Sequence, residues 1–332
     1  MNSVSARRQS ISIALPVYNG ANYLRQALDS IRLQSFTDFE VVISDNASTD
    51  ETPEICQEYA ERDPRIKVKR CEQFLLQAEN VNRAVELCSG EWVKLFCHDD
   101  LMLPDCMARI REFAAEGTPR LGLIGNAEQW LFANDYRYPR EHDSSKPQLW
   151  DGRTLVRNRL AGKGTPPLPS LSTATVRKSA WNASPKFDSR FAHFDVFLWN
   201  SLLVDWDYAF IPQILTVNRI HGGQVAVSAR KTMRSIEDHR LYWREFVRDS
   251  ANILRLSRGE KLLARLRPLG TAGSAVAVEV LRGNPGAAVN VFSKTPISWW
   301  FILPAFVIRS YRHEKRKIVA LSHHVPVREI YP

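Results

Sequence analysis

The sequence has few cysteines, and their spacing gives no sign of a paired arrangement. The five thiols form no CxxC pair, and all of them lie in the first third of the chain (Cys56, Cys71, Cys88, Cys97 and Cys106). An odd, scattered set of this kind indicates reduced thiols of a cytosolic protein, mostly packed as small hydrophobic residues. The sequence also shows no internal repeat.

Long hydrophobic runs are missing as well. The first apolar stretch, ISIALPVYNG at residues 11–20, is too short and too soon interrupted to be the hydrophobic region of a signal peptide. A second run, at residues 296–308, is broken by Ser298 and Pro304 and falls short of the ~20 residues that a membrane-spanning helix needs. We therefore expect a protein that is made and kept in the cytoplasm.

Positive charge, in contrast, is abundant. Among 332 residues, 45 are Lys or Arg and 36 are Asp or Glu, which gives a formal net charge of +9, while 44% of the residues are hydrophobic. Such a chain is globular and long enough for one large domain or two smaller ones. The excess of positive charge favours anionic partners, namely nucleic acid, an anionic membrane surface or phosphorylated small molecules.

The first 125 residues alternate between strand-like and helix-like segments. Apolar runs typical of buried strands lie at residues 11–17, 39–44, 66–69, 92–96 and 121–124. Residues 48–51 fit a capping box for one of the intervening helices, with Pro53 in its first turn. Repeated units of this length predict an α/β fold with a mostly parallel sheet covered by helices on both faces.

Later segments are less regular. They predict a loop rich in Pro, Gly and Ser, a strand, a helix and a further strand, at residues 162–172, 172–181, 194–202 and 210–217 respectively. The chain beyond them is predicted to be a helical and basic extension. The three parts predicted in this way are residues 1–125, 126–230 and 231–332.

Three polar clusters fall at the predicted ends of strands. They are Val17-Tyr18-Asn19, Ser44-Asp45-Asn46 and His98-Asp99-Asp100. Because ligands of parallel α/β sheets bind beyond the carboxyl ends of the strands, these clusters predict a binding site at that edge.

The acidic residues of these clusters each have two interpretations. Asp99 and Asp100 repel each other, and residues 95–104 contain no Lys or Arg to neutralise them. They are either solvated carboxylates in a turn or at a helix N-terminus, or ligands of a divalent cation that also binds a phosphate-bearing substrate. Asp45 either belongs to an Asx-type turn or accepts a hydrogen bond from a base or sugar, with Tyr18 stacked on that base.

Three segments in this order resemble the family 2 glycosyltransferases, which have the GT-A fold. They are LPVYNGANYLRQALDSI, FEVVISDNASTDET and GEWVKLFCHDDLMLP. The resemblance covers residues 10–115 well and continues more loosely to about residue 225. It implies a nucleotide-sugar donor of UDP, GDP or dTDP type, Mg²⁺ or Mn²⁺ as cofactor, and inversion at the anomeric carbon. The expected architecture is thus an α/β fold of GT-A type. Residues 1–125 are expected to form its nucleotide-sugar-binding half and residues 126–230 the acceptor-binding half of the same domain, while residues 231–332 form a helical, basic extension suited to membrane association.

The resemblance also implies which residues bind the donor. Pro16, Tyr18, Asn19 and Asp45 would border the nucleoside, with Asp45 facing the base. Asn82 falls where the family often places a polar residue that contacts the donor.

A metal ion is implied at the acidic pair. Asp99 would hold the ion on the diphosphate, and Asp100 would help to hold it and to position the donor. The family's motif often begins with another Asp where this chain has Cys97, which is either a core cysteine at a strand end or a ligand of a softer metal. His221 is either a further metal ligand or an ordinary loop histidine, and Arg219 would offset phosphate charge.

Inverting transfer also needs a carboxylate that removes the proton of the acceptor hydroxyl. The family commonly places this base in a Glu-Asp pair at a helix start, after a Phe-Asp segment. FDSRFAHFDVFLWNSL matches this layout, with Asp195 in the second position and Phe194 in place of the Glu. Asp195 is therefore the expected base, and Asp188 and Asp207 are the competing candidates.

The tail at residues 294–317 combines paired tryptophans with a cationic block. Such a segment suits the interface of an anionic membrane, and the alternative is an amphipathic core helix with a solvated basic end. We expect peripheral attachment to the inner face of the cytoplasmic membrane, because acceptors in bacterial-type polysaccharide assembly are often lipid-linked.

The predicted function is a metal-dependent inverting transfer of sugar to a hydroxyl of a glycan or lipid-linked glycan in cell-surface polysaccharide assembly. A nucleotidyltransferase acting on sugar phosphates is the first alternative, but LPVYNGANYL lacks the loop rich in Gly, Arg and Lys that it would need. A nucleic-acid-binding protein would explain the charge of +9. However, aromatic residues interleaved with a basic groove are not visible, and the positive charge gathers towards the C-terminus, so no nucleic-acid partner is expected.

Overall fold

A computed structural model of the chain describes residues 10–116, 118–132, 137–139, 146–161, 163–191, 193–221 and 234–262. Within these residues, ten strands form one sheet. The strands are β1 (Ile11–Val17), β2 (Phe39–Asp45), β3 (Ile66–Arg70), β4 (Trp92–Leu95), β5 (Leu101–Met102), β6 (Leu121–Leu131), β7 (Arg137–Pro139), β8 (Gln148–Trp150), β9 (Ala174–Arg177) and β10 (Asp207–Arg219). The five strands predicted in the first 125 residues are all present.

Helices connect and cover these strands. They are α1 (Ala21–Arg32), α2 (Thr52–Arg62), α3 (Gln77–Leu87), α4 (Cys106–Glu116), α5 (Gly152–Leu160), α6 (Lys178–Ala183), α7 (Phe194–Leu202) and α8 (Arg234–Ser250), with a short 3₁₀ helix at Leu171–Thr173. Helix α1 illustrates the spacing of apolar residues that is typical of a helix. Its buried residues lie three or four positions apart along one face and are Leu24, Ala27, Leu28 and Ile31.

The sheet is mostly parallel, as predicted. Its order is β3-β2-β1-β4-β9-β6-β10-β5, with β7 paired to β6 and β8 paired to β10. Strands β1 to β4 pair in parallel, and so do β6 and β10. Strand β9 lies between β4 and β6 and is antiparallel to both. Strands from the first two predicted parts of the chain therefore share one sheet.

Two hydrophobic cores cover the two faces of this sheet. The first lies under α1, α2 and α4 and takes the side chains of Ile11, Ile13, Leu15 and Val17 from β1. The second lies under α3 and α5 to α8 and takes Ala14 from the same strand. Because successive strand residues point to opposite faces, one apolar run serves both cores.

The predicted strand at residues 172–181 is wrong in its extent. Only Ala174–Arg177 is a strand, because only these residues pair with β4 and β6. A 3₁₀ helix precedes it and α6 follows it, with Trp181 of α6 fully buried in the second core.

The predicted capping box at residues 48–51 is also wrong. Helix α2 begins at Thr52, so Ser48 lies before the helix and does not cap it. The Ser48 hydroxyl instead accepts a hydrogen bond from the Asn19 N–H at 3.0 Å. Asp50 accepts the Thr52 N–H instead, at 3.0 Å. Pro53 lies in the first turn, as predicted.

The part of the chain after the sheet is described as far as residue 262. Helix α8 confirms the prediction of a helix there, and it packs on α7 through stacked rings of Tyr242 and Phe197, whose centroids are 4.0 Å apart. The tail at residues 294–317 lies outside the described residues. Within the described part, no helix combines the length and apolar composition that a membrane crossing requires.

Gly20 closes the turn between β1 and α1. A Cβ atom there would lie 2.5 Å from Cδ2 of His98 and 2.6 Å from Cγ2 of Val17. Because the turn or the His98 ring would have to move, we expect Gly20→Ala to lower the free energy of unfolding by about 1–3 kcal/mol in urea titrations. In the control Gly164→Ala, the added Cβ meets no atom within 4 Å, so its effect should stay within about 0.5 kcal/mol. Equal losses in both variants would contradict this prediction.

Candidate active site

The carboxyl ends of the parallel strands bring the three predicted polar clusters to one edge of the sheet. Val17 at the end of β1 pairs with Asp45 at the end of β2, and Ala14 pairs with Leu95 at the end of β4. Residues 97–100 follow β4 directly. Sheets of this type bind ligands at this edge, so the topology agrees with the predicted location of the site.

Asn19 and Gly20 join the turn after β1 to the loop after β2. Asn19 has a φ of 47°, a left-handed conformation that Asn tolerates better than most residues. Its N–H donates to the Ser48 hydroxyl, and its side-chain oxygen accepts the Thr49 N–H at 2.8 Å. The Gly20 N–H donates to the Thr52 hydroxyl at 2.8 Å. Asn19 therefore fixes the shape of the edge beside Tyr18.

Pro16 contributes its carbonyl group to this edge. The His98 ring donates a hydrogen bond to that carbonyl, which ties the acidic cluster to β1. Burial lowers the pKa of His98, and the charge of Asp99 opposes this effect.

Asp45 is buried at the end of β2, with 1% of its surface exposed. One carboxylate oxygen accepts the Ser48 N–H at 3.2 Å, which is the Asx-type contact. The other oxygen lies 3.6 Å from Nε of Arg70 and accepts no hydrogen bond from the described residues. Because an unpartnered buried acceptor is costly, this oxygen is suited to an N–H group of a ligand, so the two interpretations of Asp45 are compatible.

Two aromatic rings stand exposed at this end of the sheet. Tyr18 is 43% exposed and Phe74 is 55% exposed, and their ring centroids are 4.9 Å apart in an edge-to-face arrangement. Asn46 fixes the segment of Phe74, because its side chain accepts the Leu75 N–H at 2.8 Å and donates to the Leu75 carbonyl at 2.9 Å. Phe74 was not predicted, since a single Phe between a strand and a helix carries no periodic signal.

Asn82 lies on α3 and is engaged elsewhere. Its amide accepts the Phe187 N–H at 3.0 Å and donates to the Phe187 carbonyl at 2.9 Å, so it joins α3 to the segment before α7. The buried Asn80 is the residue of this helix that reaches the strand ends. It accepts the Ser44 hydroxyl at 2.7 Å and donates to the Ser44 carbonyl at 3.2 Å. Asn80 was missed because it shares the same polar run of sequence as Asn82.

Asp100 is 5% exposed and held by neutral donors. The Ser172 hydroxyl donates to one carboxylate oxygen, and the Arg219 N–H donates to the other at 2.9 Å. Burial, followed by the charge of Asp99, raises the pKa of Asp100 well above its ordinary value. Ser172 also accepts the Cys97 N–H at 3.0 Å. Ser172 was not predicted, because it lies far from the acidic motif in the sequence.

Asp99 has a different environment. One of its oxygens lies 3.0 Å from Nε2 of His221, so the structure brings these two predicted residues together. Burial acts to raise the pKa of Asp99, but the hydrogen bond with His221 and the nearby His98 ring outweigh it and lower the pKa. The ring of Tyr23 lies beside His221, with centroids 5.0 Å apart.

The acidic cluster has the donor set of a divalent-cation site. Ligand atoms of Cys97, Asp99 and Asp100 all lie within 4.8 Å of one another. Among the described residues, neither carboxylate has an ion pair with Lys or Arg. Burial raises the pKa of the Cys97 thiol, which therefore stays protonated, whereas carboxylate oxygens are the ligands that Mg²⁺ and Mn²⁺ prefer. The residues present fit a hard cation held by Asp99 and Asp100.

Arg219 contributes to this cluster mainly through its backbone N–H. Its guanidinium donates to the side-chain oxygen of Gln26 and lies over the ring of Tyr23, 5.0 Å from the centroid. The side chain is thus directed along α1, and its predicted contact with phosphate stays a prediction.

Asp195 lies in the first turn of α7 and is half-buried. One of its oxygens accepts the Val196 N–H at 2.8 Å. Burial raises the pKa of Asp195 to about 6, and the carboxylate of Glu128 adds to this rise while the Val196 N–H opposes it. The charge of Asp195 also contributes to the raised pKa of Cys97, so the two groups lie within electrostatic range of each other. A carboxylate with this pKa can accept a proton near neutral pH.

The competing carboxylates have structural partners. Asp188 forms an ion pair with Arg190 at 2.7 Å, and this partner lowers the pKa of Asp188 against the effect of burial. Asp207 begins β10, at the opposite edge of the sheet, where it lies 3.5 Å from Arg120 and accepts the Gly152 N–H at 3.2 Å. Asp195 is therefore the best placed of the three predicted bases.

Comparison with known proteins agrees with this geometry. Residues 12–154 match the family model described as Glycosyl transferase family 2. A chondroitin synthase of Escherichia coli is 35% identical over 137 residues, which are 39% of this chain and 19% of that protein. The GalNAc(5)-diNAcBac-PP-undecaprenol beta-1,3-glucosyltransferase of Campylobacter jejuni is 31% identical over 108 residues, 32% of this chain and 35% of that protein. The chain thus spans well under half the length of these curated relatives.

Solved structures share the fold. TarS 1-349 of S. aureus, in complex with UDP-GlcNAc, superposes with a TM-score of 0.64 at 17% identity and covers 93% of this chain and 92% of its own. The mannosyltransferase PcManGT of Pyrobaculum calidifontis, in complex with GDP-Man and Mn²⁺, gives a TM-score of 0.56 at 20% identity over 91% of this chain and 86% of its own. Residues 12–154 thus match glycosyl transferase family 2, and the fold of the chain is that of the GT-A glycosyltransferases.

Proposed function

We propose that the protein is a metal-dependent, inverting glycosyltransferase that moves a sugar from a nucleoside-diphosphate sugar to a hydroxyl of a glycan or lipid-linked glycan. The observation that carries this proposal is the acidic pair at the sheet edge. Asp99 and Asp100 lie on the edge that also presents Tyr18 and Asp45, and among the described residues neither acid forms an ion pair with Lys or Arg. Such an edge can receive a nucleoside at one end and a diphosphate with its cation at the other.

The donor side of the proposal assigns each group a contact. The nucleobase lies against Tyr18 and Phe74, and one of its N–H groups meets the second oxygen of Asp45. Exposed aromatic faces suit a base because stacking requires only a planar ring. The half-exposed Arg70 beside Asp45 is the side chain that would move to admit the base.

A cation held by Asp99 and Asp100, with His221 as a further ligand, would stabilise the negative charge that develops on the departing nucleoside diphosphate. The contact of His221 with Asp99 supports its place in this ligand set. Mg²⁺ and Mn²⁺ are the proposed ions, because both ligating carboxylates are hard oxygen donors.

The acceptor side depends on Asp195. The acceptor oxygen forms a bond to the anomeric carbon while the bond from that carbon to the diphosphate oxygen breaks, and the proton of the hydroxyl passes to Asp195. Attack from the face opposite the leaving group inverts the anomeric centre. The pKa of Asp195, about 6, keeps it ionised at neutral pH, ready to accept this proton.

The acceptor class and the location belong to the same proposal. One relative is named a chondroitin synthase and another acts on an undecaprenol-linked glycan, which supports a glycan or lipid-linked glycan as acceptor. The cationic, Trp-rich sequence of residues 294–317 supports peripheral attachment to the inner face of the cytoplasmic membrane.

A thermal-unfolding panel tests the class of donor. We expect Mn²⁺ together with one nucleotide sugar of UDP, GDP or dTDP type to raise the Tm, because a ligand that binds only the folded state stabilises it. The same sugar 1-phosphate without its nucleoside is the control and should leave the Tm unchanged. If no nucleotide sugar shifts the Tm while single-stranded DNA or RNA does, the transferase proposal is wrong.

Asp99→Ala tests the metal assignment. Removing this carboxylate should abolish the Mn²⁺-dependent part of nucleotide-sugar affinity in calorimetry, because the cation loses a charged ligand. The control is Asp105→Ala, at an exposed residue whose side chain accepts a hydrogen bond from the Ser35 hydroxyl. Unchanged metal-dependent affinity in Asp99→Ala would remove Asp99 from the metal site.

Asp195→Asn tests the base. We expect kcat to fall by about 100-fold or more while the donor affinity persists, since an amide cannot take up the proton. In the wild type, kcat/KM should decline below a pH of about 6, where Asp195 becomes protonated. Asp188→Asn serves as the control. It should retain the wild-type kcat and the same decline of kcat/KM at acidic pH. Near-normal turnover of Asp195→Asn would exclude Asp195 as the base.

A further inference from the structure

Glu128 on β6 is a buried carboxylate that neither its sequence context nor the roles assigned above account for. It is 5% exposed and accepts hydrogen bonds from three side chains. The donors are Asn218 Nδ2 at 2.7 Å, the Ser170 hydroxyl at 3.1 Å and Trp130 Nε1 at 3.2 Å. Burial of a carboxylate is costly unless its hydrogen bonds are made, and here they are made. We therefore ask what these three hydrogen bonds hold in place.

The first connection runs through the loop before β9. Ser170 directly precedes the 3₁₀ helix Leu171–Thr173, and the hydroxyl of Ser172 in that helix donates to Asp100. Glu128 holds Ser170, and so it holds the start of the turn that presents Ser172 to Asp100.

The second connection runs through the end of β10. Asn218 donates to Glu128, and the next residue, Arg219, donates its backbone N–H to the other oxygen of Asp100. Asn218 also donates to the Ser170 hydroxyl at 3.2 Å, which joins the two connections. Each of the two residues that hold Asp100 therefore lies close in sequence to a residue bound to Glu128. Ser172 lies two residues after Ser170, and Arg219 directly follows Asn218.

We propose that Glu128 is a positioning residue for the metal site, which fixes the orientation of the Asp100 carboxylate by clamping the segments that carry Ser172 and Arg219. The inference rests on the proposed function, because it assigns Glu128 a purpose in holding a ligand of the cation. Groups that orient the ligands of a metal typically change metal affinity by about 10–100-fold when they are lost.

Glu128→Gln is the informative substitution. A carboxylate offers two acceptor oxygens, whereas an amide offers one oxygen and an NH₂ group. The oxygen of the Gln amide can therefore accept either from Trp130 or from Ser170 and Asn218. In both orientations the NH₂ group then faces an N–H donor, Asn218 or Trp130. The substitution loosens the clamp with almost no change in side-chain volume.

The experiment titrates the full chain with Mn²⁺, monitored by the electron paramagnetic resonance signal of free Mn²⁺, in the presence of UDP, GDP or dTDP, whichever raises the wild-type Tm most. We expect Glu128→Gln to raise the Kd of Mn²⁺ by about 10-fold or more. Nucleotide affinity measured in EDTA should stay unchanged, which a general loss of structure would not allow. Glu116→Gln removes an exposed charge and is the matched control, with an expected Kd equal to the wild type.

A double-mutant cycle separates positioning from a direct effect of charge. If Glu128 acts through Ser172, then Ser172→Ala alone already removes part of the effect, and the Kd of the double variant Glu128→Gln/Ser172→Ala should be smaller than the product of the single changes predicts. If the Glu128 charge attracts the cation directly, the two changes should multiply, and the inference would be overturned.

The remaining outcomes are also decisive. An unchanged Kd in Glu128→Gln overturns this inference alone, since the wild type still binds Mn²⁺. A wild-type chain that binds no Mn²⁺ with any of the three nucleotides overturns the metal assignment and this inference together. If Glu128→Gln fails to fold, Ser170→Ala leaves the carboxylate in place and removes only the loop-side donor. It should raise the Kd several-fold, and an unchanged Kd in that variant would refute the clamp.

Discussion

The constraint on which the rest of the structure depends is the placing of two neighbouring carboxylates at the sheet edge, where neither forms an ion pair with a Lys or Arg of the described residues. The fold gives the two acids different surroundings, since Asp99 meets His221 while Asp100 accepts hydrogen bonds from Ser172 and the Arg219 N–H. Neutral donors fix the direction of a carboxylate without cancelling its charge. Burial raises the pKa of Asp100, so a divalent cation that binds the pair would also favour the ionised form of this carboxyl.

The fold of the first 125 residues could be predicted from the sequence because its signals are local. Strands β1, β2 and β4 are continuous apolar runs, and α1 and α3 carry apolar residues at helical spacing, so each element is readable within a few residues. The alternation of strands and helices implies parallel pairing, and parallel pairing decides which strand ends share an edge. The placement of Tyr18, Asp45 and Asp99 could be deduced in this way, but their partners could not.

Those partners could not be predicted because they come from distant parts of the chain. Asp100 takes its hydrogen bonds from Ser172 and Arg219, 72 and 119 residues away, and Glu128 binds Asn218 at a separation of 90 residues. No local pattern encodes such contacts. The predicted capping box failed for the same reason, since its serine fits the local pattern while a backbone N–H from the turn after β1 occupies its hydroxyl.

The proposed base is held by packing of helices rather than by strand ends. Asp195 lies on α7, which the stacked rings of Phe197 and Tyr242 join to α8. Burial raises the pKa of Asp195 from 3.8 to about 6, so the folded chain binds this proton more tightly than the unfolded chain. The free energy of unfolding therefore falls as the pH rises between these values, by about 3 kcal/mol at most. Aromatic packing between α7 and α8 contributes stability that offsets this cost.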